Sequence, residues 1–337
     1  MSFGTVAFVT HDRTVARWAV ARTRQVTVTD IICGVDVSST HLDARIGRAG
    51  AFQRFANTAD GVAALAAFCQ SQGVGLVAME ATGGYEKRPF ALLWAQDLPC
   101  AILNPRDVRR FAEAMGVLEK TDRIDAAMIA WCAEVKKVKP SRPADETQER
   151  LKALVLRLSQ LTNLKTAQTN QRRLVSDPTA LASFEEILAL LARQMRALET
   201  EIAALINADP LWRALDKAFR SIKGVADRTV ARLMAETPEI GQISNKAIAK
   251  LVGLAPLAND SGGRRGRRAV RGGRASVREN LFVVAEVVRR HNPDFADFHR
   301  RLQGKPKKAI RVAVAHKLLV RLNAKARDVR LARQPKA

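Results

Sequence analysis

The order of short apolar runs between residues 31 and 103 constrains the fold of this chain more than any other sequence feature. Apolar or alternating runs of this length, bounded by turn residues, are typical of β-strands. The five runs span 31–36, 41–46, 52–56, 74–79 and 100–103. The first three follow one another closely, and helical sequence precedes each of the last two. This order predicts an α/β domain of the ribonuclease-H-like, or RuvC-like, class.

Helical sequence fills the gaps between these strands and nearly all of the remaining chain. In the α/β region we predict helices over 62–69, after Gly83-Gly84, over 105–115 and over 122–135. The segment Lys139-Pro140-Ser141-Arg142-Pro143 breaks the pattern and predicts a linker. The sequence beyond it is all helical.

Apolar residues at three- and four-residue spacing dominate the first helical region after the linker. Such spacing is typical of a coiled-coil seam. Its members are Leu181, Phe184, Leu188, Leu191, Met195, Leu198, Ile202 and Leu205. A weaker seam through Leu151, Leu154, Leu158 and Leu161 precedes Asp177-Pro178. The two seams predict an antiparallel hairpin or an arm that pairs two chains, with ordinary bundle packing as the alternative, because heptads alone do not separate these.

The complete layout has five parts. We expect a loose N-terminal extension (1–30), a catalytic α/β domain (31–140), a helical coiled-coil arm (141–210), a mainly α C-terminal domain (211–325) and a basic tail (326–337). In the C-terminal domain, Lys223-Gly224 lies at a turn before helical sequence, as in a helix-hairpin-helix element. Backbone N–H groups at such a turn can bind a phosphate.

Basic residues are concentrated in the second half of the chain. Of 56 Lys and Arg and 33 Asp and Glu, 17 and 14 precede residue 141, so the net charge is +3 before that point and +20 after it. This imbalance favours a polyanionic partner. We therefore expect donor and target DNA as partners, and neither a membrane nor a small-molecule substrate. Ribosomal-style basic packing is the alternative, which the acidic pattern described below disfavours.

The cysteines and the apolar segments point to the cell interior. Cys33, Cys69, Cys100 and Cys132 form no Cys-x-x-Cys pair, so neither a zinc site nor a disulfide framework is indicated. No stretch approaches the ~20 apolar residues of a membrane helix. The N-terminus lacks the apolar core of a secretory signal. We expect a cytoplasmic, nucleoid-associated protein.

Four acids stand where strands end or where a helix begins. Asp36 ends the first predicted strand, Glu80 follows the fourth, and Asp122 and Asp125 are three residues apart on one helical face. Phosphodiester chemistry with two divalent ions needs several carboxylates that converge on hard cations. These four are the predicted catalytic and metal-binding acids, with Mg²⁺ as the expected ion, two per site. Any one of them alone is more often a turn residue or a helix cap.

Two other acids are weaker candidates for the same site. Asp43 falls in the middle of the second strand, and Glu86 lies one helical turn beyond Glu80. We rank both below the four acids at the element ends.

A serine followed by an arginine-rich segment marks the C-terminal domain. Ser261-Gly262-Gly263 precedes seven arginines within fifteen residues that contain no acid: Arg264, Arg265, Arg267, Arg268, Arg271, Arg274 and Arg278. Guanidinium groups suit phosphate contact, and glycines let the backbone approach closely. We predict that these arginines, with Lys223 and Gly224, bind nucleic acid. A serine hydroxyl beside such charge could act as a nucleophile, although Ser-Gly in a loop is usually only a turn.

These motifs together resemble the DEDD transposases of the insertion-sequence 110 group, which are bridge-RNA-guided recombinases. The resemblance covers about residues 31–322. It rests on Gly34-Val35-Asp36, Glu80-Ala81-Thr82-Gly83, Lys120-Thr121-Asp122-Arg123-Ile124-Asp125-Ala126, Gly253-Leu254-Ala255-Pro256, Ser261-Gly262 and Gly272-Gly273-Arg274. The long segment before Ile31 and the dense arginine cluster depart from the pattern.

The resemblance implies a bacterial mobile-element transposase. Asp36, Glu80, Asp122 and Asp125 would bind magnesium in a RuvC-like domain, and Ser261 would form a transient phosphoserine link to DNA. Strands would be exchanged through a Holliday-junction-like intermediate, with the metal site and the serine coming from different subunits. An element-encoded RNA would guide a homo-oligomer, either a dimer or a tetramer.

Two other functions fit part of the same sequence. A RuvC-like junction resolvase or nuclease would use water and only the four acids. A non-catalytic nucleic-acid-binding protein would need only the basic residues.

Overall fold

The computed structural model describes residues 31–333, apart from Lys120, Arg142, Ala144 and Arg267. The predicted extension, 1–30, lies outside the described residues. The chain divides into two compact units between Pro143 and Ala144. Among the described residues, no helix combines the length and the apolar character needed to cross a bilayer.

The described residues of the first unit form one five-stranded sheet and four helices. Its elements are β1 (Ile31–Val37), β2 (His41–Ile46), β3 (Phe52–Ala56), α1 (Ala59–Ser71), β4 (Val74–Glu80), α2 (Lys87–Trp94), β5 (Cys100–Leu103), α3 (Pro105–Ala114) and α4 (Asp122–Val135). The strand order is β3-β2-β1-β4-β5. β1, β2 and β3 are antiparallel neighbours, and β4 and β5 continue the sheet parallel to β1. The predicted ribonuclease-H-like fold is confirmed.

Apolar side chains cover both faces of this sheet. On one face, Val35 packs in a core with Leu65 of α1 and Leu93 of α2. On the other face, Ala78 packs with Ile129 of α4. α4 also lies directly on β1 at Gly34, where an added Cβ would stand 2.1 Å from the carbonyl oxygen of Ala126. Only glycine allows this approach, which brings the N-terminus of α4 toward the end of β1.

In the described part of the second unit the regular elements are helices. They are α5 (Glu146–Arg172), α6 (Pro178–Ala208), α7 (Pro210–Arg220), α8 (Asp227–Glu236), α9 (Asn245–Val252), α10 (Ala275–His291), α11 (Pro293–Arg300) and α12 (Lys307–Ala332). The segment between α9 and α10 is a loop with two isolated β-bridges. α5 and α6 form an antiparallel hairpin, with Arg172 paired to Glu185 near its tip at 2.8 Å and Arg150 paired to Glu201 near its base at 3.0 Å. The hairpin alternative for the two seams is therefore the one seen within the chain.

The hairpin and the C-terminal helices share one hydrophobic core. Leu151 and Leu161 of α5 belong to the same cluster as Phe219 of α7 and Leu322 of α12. α12 runs on to Ala332, and Ala326 is fully buried. The predicted boundary between domain and basic tail at residue 325 is thus wrong for residues 326–332, because the apolar face of α12 continues into the core.

Candidate functional site

A row of polar side chains crosses four strands on the face of the sheet that α4 covers. Asp36 pairs with Asp43 across β1 and β2, and Asp43 pairs with Arg54 across β2 and β3. On the other side, Val35 is in register with Met79, so the next residues, Asp36 and Glu80, are neighbours. Directly paired residues point to the same face of a sheet, about 5 Å apart. The row therefore reads Glu80, Asp36, Asp43, Arg54.

α4 adds two acids to this row. Asp122 is the first residue of the helix, and Asp125 lies one turn further on. Thr121 caps the helix by accepting a hydrogen bond from the backbone N–H of Ile124 at 3.3 Å. The Asp122 carboxylate reaches the row, because Nη2 of Arg54 donates to its Oδ2 at 2.7 Å. The structure thus brings acids from β1, β2 and α4 together with the neighbouring Glu80 of β4.

The electrostatics of the row show an excess of negative charge. Burial raises the pKa of Asp36, and the nearby charges of Asp125, Asp122 and Asp43 raise it further. Repulsion of this kind disfavours the ionised form of a carboxyl group unless a cation is close. Carboxylate oxygens at this spacing are the donors that hard divalent cations prefer.

Asp43 is a full member of the row, although the sequence ranked it below the other acids. Its side chain is 1% exposed and accepts two hydrogen bonds from Arg54, at 2.8 and 2.9 Å. His41 Nε2 lies 3.4 Å from Asp43 and 3.9 Å from Asp122. Asp43 could have been found from the short connection between β1 and β2, because a tight hairpin that pairs Ser38 with His41 also pairs Asp36 with Asp43.

Glu86, the other low-ranked acid, supports the loop after β4. It is buried, and its Oε2 accepts hydrogen bonds from the backbone N–H groups of Thr82 and Gly84, at 3.0 and 2.9 Å. Gly83 and Gly84 both have positive φ angles, which suit glycine. Glu86 therefore fixes the course of the chain that leaves Glu80.

Ser261 lies at a tight turn in the second unit. Its backbone exchanges two hydrogen bonds with Arg264, at 3.1 and 3.0 Å, around Gly262-Gly263. Asp260 closes the loop by accepting from the backbone N–H of Gly266 at 3.0 Å. Ser261 itself is exposed. The loop is a small hairpin that presents the serine to solvent.

The arginines after Ser261 fall into two groups. Arg264, Arg265 and Arg271 are exposed, while Arg267 lies outside the described residues. The remaining three make contacts within the chain, although Arg268 is itself exposed: Arg268 with Asp260, Arg274 with Glu239, and Arg278 with the carbonyl oxygen of Gly272. The first group is therefore the better placed to contact a partner.

The Arg274 pair anchors the base of the loop. Both distances from the guanidinium to Glu239 are 2.6 Å, and a third hydrogen bond reaches the carbonyl oxygen of Glu236 at 2.7 Å. Burial alone would raise the pKa of Glu239, but the hydrogen bond from Arg274, a backbone hydrogen bond and the charge of Arg274 together outweigh it, so the pKa is lowered. Gly273 adds to the anchor, since a Cβ there would stand 2.4 Å from the backbone nitrogen of Gly253.

Lys223 and Gly224 lie in the turn between α7 and α8. Lys223 is exposed. Gly224 has a φ of 98°, and an added Cβ would come within 3.0 Å of the Val288 backbone in α10. The glycine is thus required for packing as well as for the turn itself.

The sheet topology is that of the ribonuclease-H-like fold, and a row of acids lies on the face of the sheet that α4 covers. A DEDD transposase model of the IS110 type matches residues 33–175, and a model described as the transposase IS116/IS110/IS902 family matches residues 216–300. The chain belongs to the IS110 family of transposases and is a DNA-binding transposase or recombinase.

Two characterised relatives span most of the chain. The pilin gene-inverting proteins of Moraxella lacunata and Moraxella bovis are each 25% identical to it over 306 residues, which are 85% of this chain and 92% of theirs. The solved structure of Thermus thermophilus RuvC is similar to 33% of this chain over 99% of its own length, with 16% identity and a TM-score of 0.24.

Proposed function

We propose that this chain cleaves and exchanges DNA strands at the ends of a bacterial insertion sequence, using two groups of residues. The first group is Asp36, Glu80, Asp122 and Asp125, which would hold Mg²⁺. The second is Ser261 with its exposed arginines. The observation that carries the proposal is the convergence of carboxylates on one face of the sheet at the start of α4.

The donor set of the row suits hard divalent cations. All its acids offer oxygen ligands, and the raised pKa of Asp36 reflects negative charge that a cation would stabilise. Two bound ions would polarise a phosphate and lower the pKa of the attacking group. The chain's part is to fix the ligands: the sheet register sets Asp36 and Glu80, and the cap at Thr121 sets Asp122.

Ser261 is the proposed nucleophile. Its Oγ would lose a proton and form a bond to a DNA phosphorus, while the bond from that phosphorus to a sugar oxygen breaks and the oxygen takes up a proton. Arg264 and Arg265 would stabilise the negative charge that builds up on the phosphate. The exposure of Ser261 and its position at a hairpin turn support this role, because a DNA backbone can approach it.

The other arginines and the α7–α8 turn are proposed to bind the DNA backbone. Arg271 is exposed, and Arg267 belongs to the same sequence cluster. Arg268, Arg274 and Arg278 would hold the loop in shape through their contacts within the chain. They would bind phosphate only through N–H groups that those contacts do not use. Lys223 and the N–H of Gly224 would bind a backbone phosphate at the turn.

Guidance by an element-encoded RNA and assembly as a dimer or tetramer complete the proposal. Both rest on the family resemblance, and the large positive charge of the second half of the chain suits RNA as well as DNA. The relatives named as gene-inverting proteins support inversion of a DNA segment as one outcome of the strand exchange.

The test combines recovery of the bound RNA with an assay of donor–target DNA joining. The protein is purified from cells that carry its flanking DNA, the bound RNA is sequenced, and donor–target joining with Mg²⁺ is measured for the wild type, Ser261→Ala and Asp36→Asn. We expect a discrete RNA, and joining that falls at least about a hundredfold in both variants. Ser276→Ala is the matched control, a second serine in the same domain, and it should keep joining.

Other results would support the alternative functions. Undiminished cutting by Ser261→Ala together with loss in Asp36→Asn would favour a nuclease that uses water. DNA binding without any cutting, unchanged by Asp36→Asn, would favour a non-catalytic binding protein.

A further inference from the structure

Arg54 ends the carboxylate row with a positive charge, and the four acids proposed as metal ligands leave it without a role. Its Nε donates to Asp43 Oδ1 at 2.8 Å, and its Nη2 donates to Asp43 Oδ2 at 2.9 Å. The same Nη2 donates to Asp122 Oδ2 at 2.7 Å. One guanidinium nitrogen therefore lies between carboxylate oxygens from the sheet and from α4.

The oxygens around Arg54 are close enough to share a cation. One ligand atom from each of His41, Asp43 and Asp122 lies within 4.8 Å of the others. Ligands of one divalent ion, at 2.0–2.6 Å from it, stand roughly 3–4 Å apart. Because the Arg54 guanidinium bonds to two members of this group, it satisfies oxygens that a metal ion would otherwise attract.

The contact of Arg54 with Asp43 is harder to break than its contact with Asp122. Asp43 is 1% exposed, and a buried carboxylate that loses a charged hydrogen-bonding partner is heavily destabilised. Asp122 is 55% exposed and Arg54 is 52% exposed, so water can replace the contact between them. Arg54 is thus anchored on Asp43, and Asp122 is the partner that can leave.

We propose that Arg54 is a fixed counter-cation that competes with the divalent ion for Asp122. This inference rests on the proposed role of Asp122 as a metal ligand. Without metal, Arg54 neutralises the exposed carboxylate at the start of α4. Metal binding requires Asp122 to leave Arg54 Nη2, so Arg54 lowers the affinity of the site for the ion. Arg54 is in this sense a positioning residue, since it acts through Asp122.

Mn²⁺ binding to the full-length protein without DNA tests the competition. The free ion is counted by electron paramagnetic resonance, a signal that does not depend on catalysis. Arg54→Gln removes the competing charge, and we expect Mn²⁺ to bind roughly tenfold more tightly, as a unit charge at this range implies in a half-exposed site.

Arg48→Gln is the matched control. Arg48 lies in the same β2–β3 hairpin and carries the same charge, but its guanidinium stacks 3.6 Å from the centre of the Trp131 ring, away from the carboxylate contacts described for Arg54. We expect its Mn²⁺ affinity to stay within about twofold of the wild type, because a distant exposed charge is screened.

A second pair of variants keeps the test valid if Arg54→Gln folds poorly. Asp43→Asn and Asp43→Asn with Arg54→Gln differ only at residue 54, and neither leaves a buried charge without a partner. The double variant should again bind Mn²⁺ more tightly than Asp43→Asn. Unchanged or weaker binding on loss of Arg54 in the backgrounds that fold, or an equal gain in Arg48→Gln, would overturn the proposal.

Asp122→Asn separates this inference from the function on which it rests. If Asp122→Asn leaves Mn²⁺ binding unchanged, Asp122 is not a ligand and the proposed metal site itself fails. If Asp122→Asn weakens binding while Arg54→Gln has no effect, the metal site stands and only the competition is wrong. When both hold, removing Arg54 should increase Mn²⁺ affinity clearly less in the Asp122→Asn background, because only the general effect of its charge is left there.

Discussion

The carboxylates of the row differ in how far their charge is balanced. Asp43 has a guanidinium on both oxygens, whereas Asp36 is surrounded by other acids and has a raised pKa. A buried group of this kind makes the native state bind a proton more tightly than the unfolded chain does. Asp36 therefore costs stability when it is ionised.

Replacing Asp36 by Asn should stabilise the metal-free protein in a pH-dependent way. The favourable protonated state of Asp36 is fully present below the ordinary pKa of 3.8 and is lost as the pH rises through the higher folded value. At pH 7, Asp36→Asn should therefore raise the free energy of unfolding by on the order of 1 kcal/mol, the usual size of a single-substitution effect.

Urea unfolding of the full-length chain with EDTA, at pH 4 and pH 7, measures this difference. The gain should shrink toward zero at the lower pH. Glu119→Gln, which removes an exposed carboxylate outside the row, should show no such gain. A gain of equal size at both pH values would mean that packing, and not charge, is responsible.

The elements were largely predictable because each is short and has clear end signals. All five strands lie where the apolar runs predict them, and the helix that begins at Asp122 spans the predicted residues 122–135. Local sequence does not encode which residues face each other across strands. Arg54 was missed for this reason: its place beside Asp43 follows from the pairing of β2 with β3. The internal contacts of Arg274 likewise depend on Glu239, which is distant in sequence.

The contact of α4 with β1 is the element-level feature on which the row depends. Gly34→Ala would place a Cβ 2.1 Å from the carbonyl oxygen of Ala126 and 2.5 Å from the backbone nitrogen of Ala130. Backbone atoms cannot move aside without shifting the helix, so we expect a loss of about 2–3 kcal/mol of stability. Because Asp122 and Asp125 lie on α4 and would shift with it, Mn²⁺ affinity should fall as well.

Thermal unfolding and Mn²⁺ titration of Gly34→Ala check both effects. Gly263→Ala is a suitable control for stability, since no heavy atom lies within 4 Å of a Cβ placed there. A Gly34→Ala protein with normal stability and normal Mn²⁺ affinity would show that the packing of α4 on β1 does not depend on this glycine.

At the scale of the whole molecule, the candidate site residues are divided between the two units. The first carries the acidic row within a nearly neutral sequence, and the second carries Ser261 and most of the excess positive charge. The charge difference was readable from the sequence, as was the position of the division near the linker. The separation of the second unit into an arm and a C-terminal domain stays a prediction, because both contribute to one core.

The salt dependence of DNA binding should report which arginines contact phosphate. Each phosphate neutralised by a basic side chain contributes about −0.9 to the slope of log K against log salt concentration on duplex DNA. The wild type should therefore bind with a steep slope. Arg264→Gln with Arg265→Gln should make the slope shallower by about 2, because both side chains are exposed and lie next to Ser261.

Arg106→Gln with Arg110→Gln removes two exposed charges from the first unit and is the matched control for net charge. An equal change in both pairs would mean that the total charge governs binding, whereas a change confined to the first pair would place the DNA backbone at the serine loop.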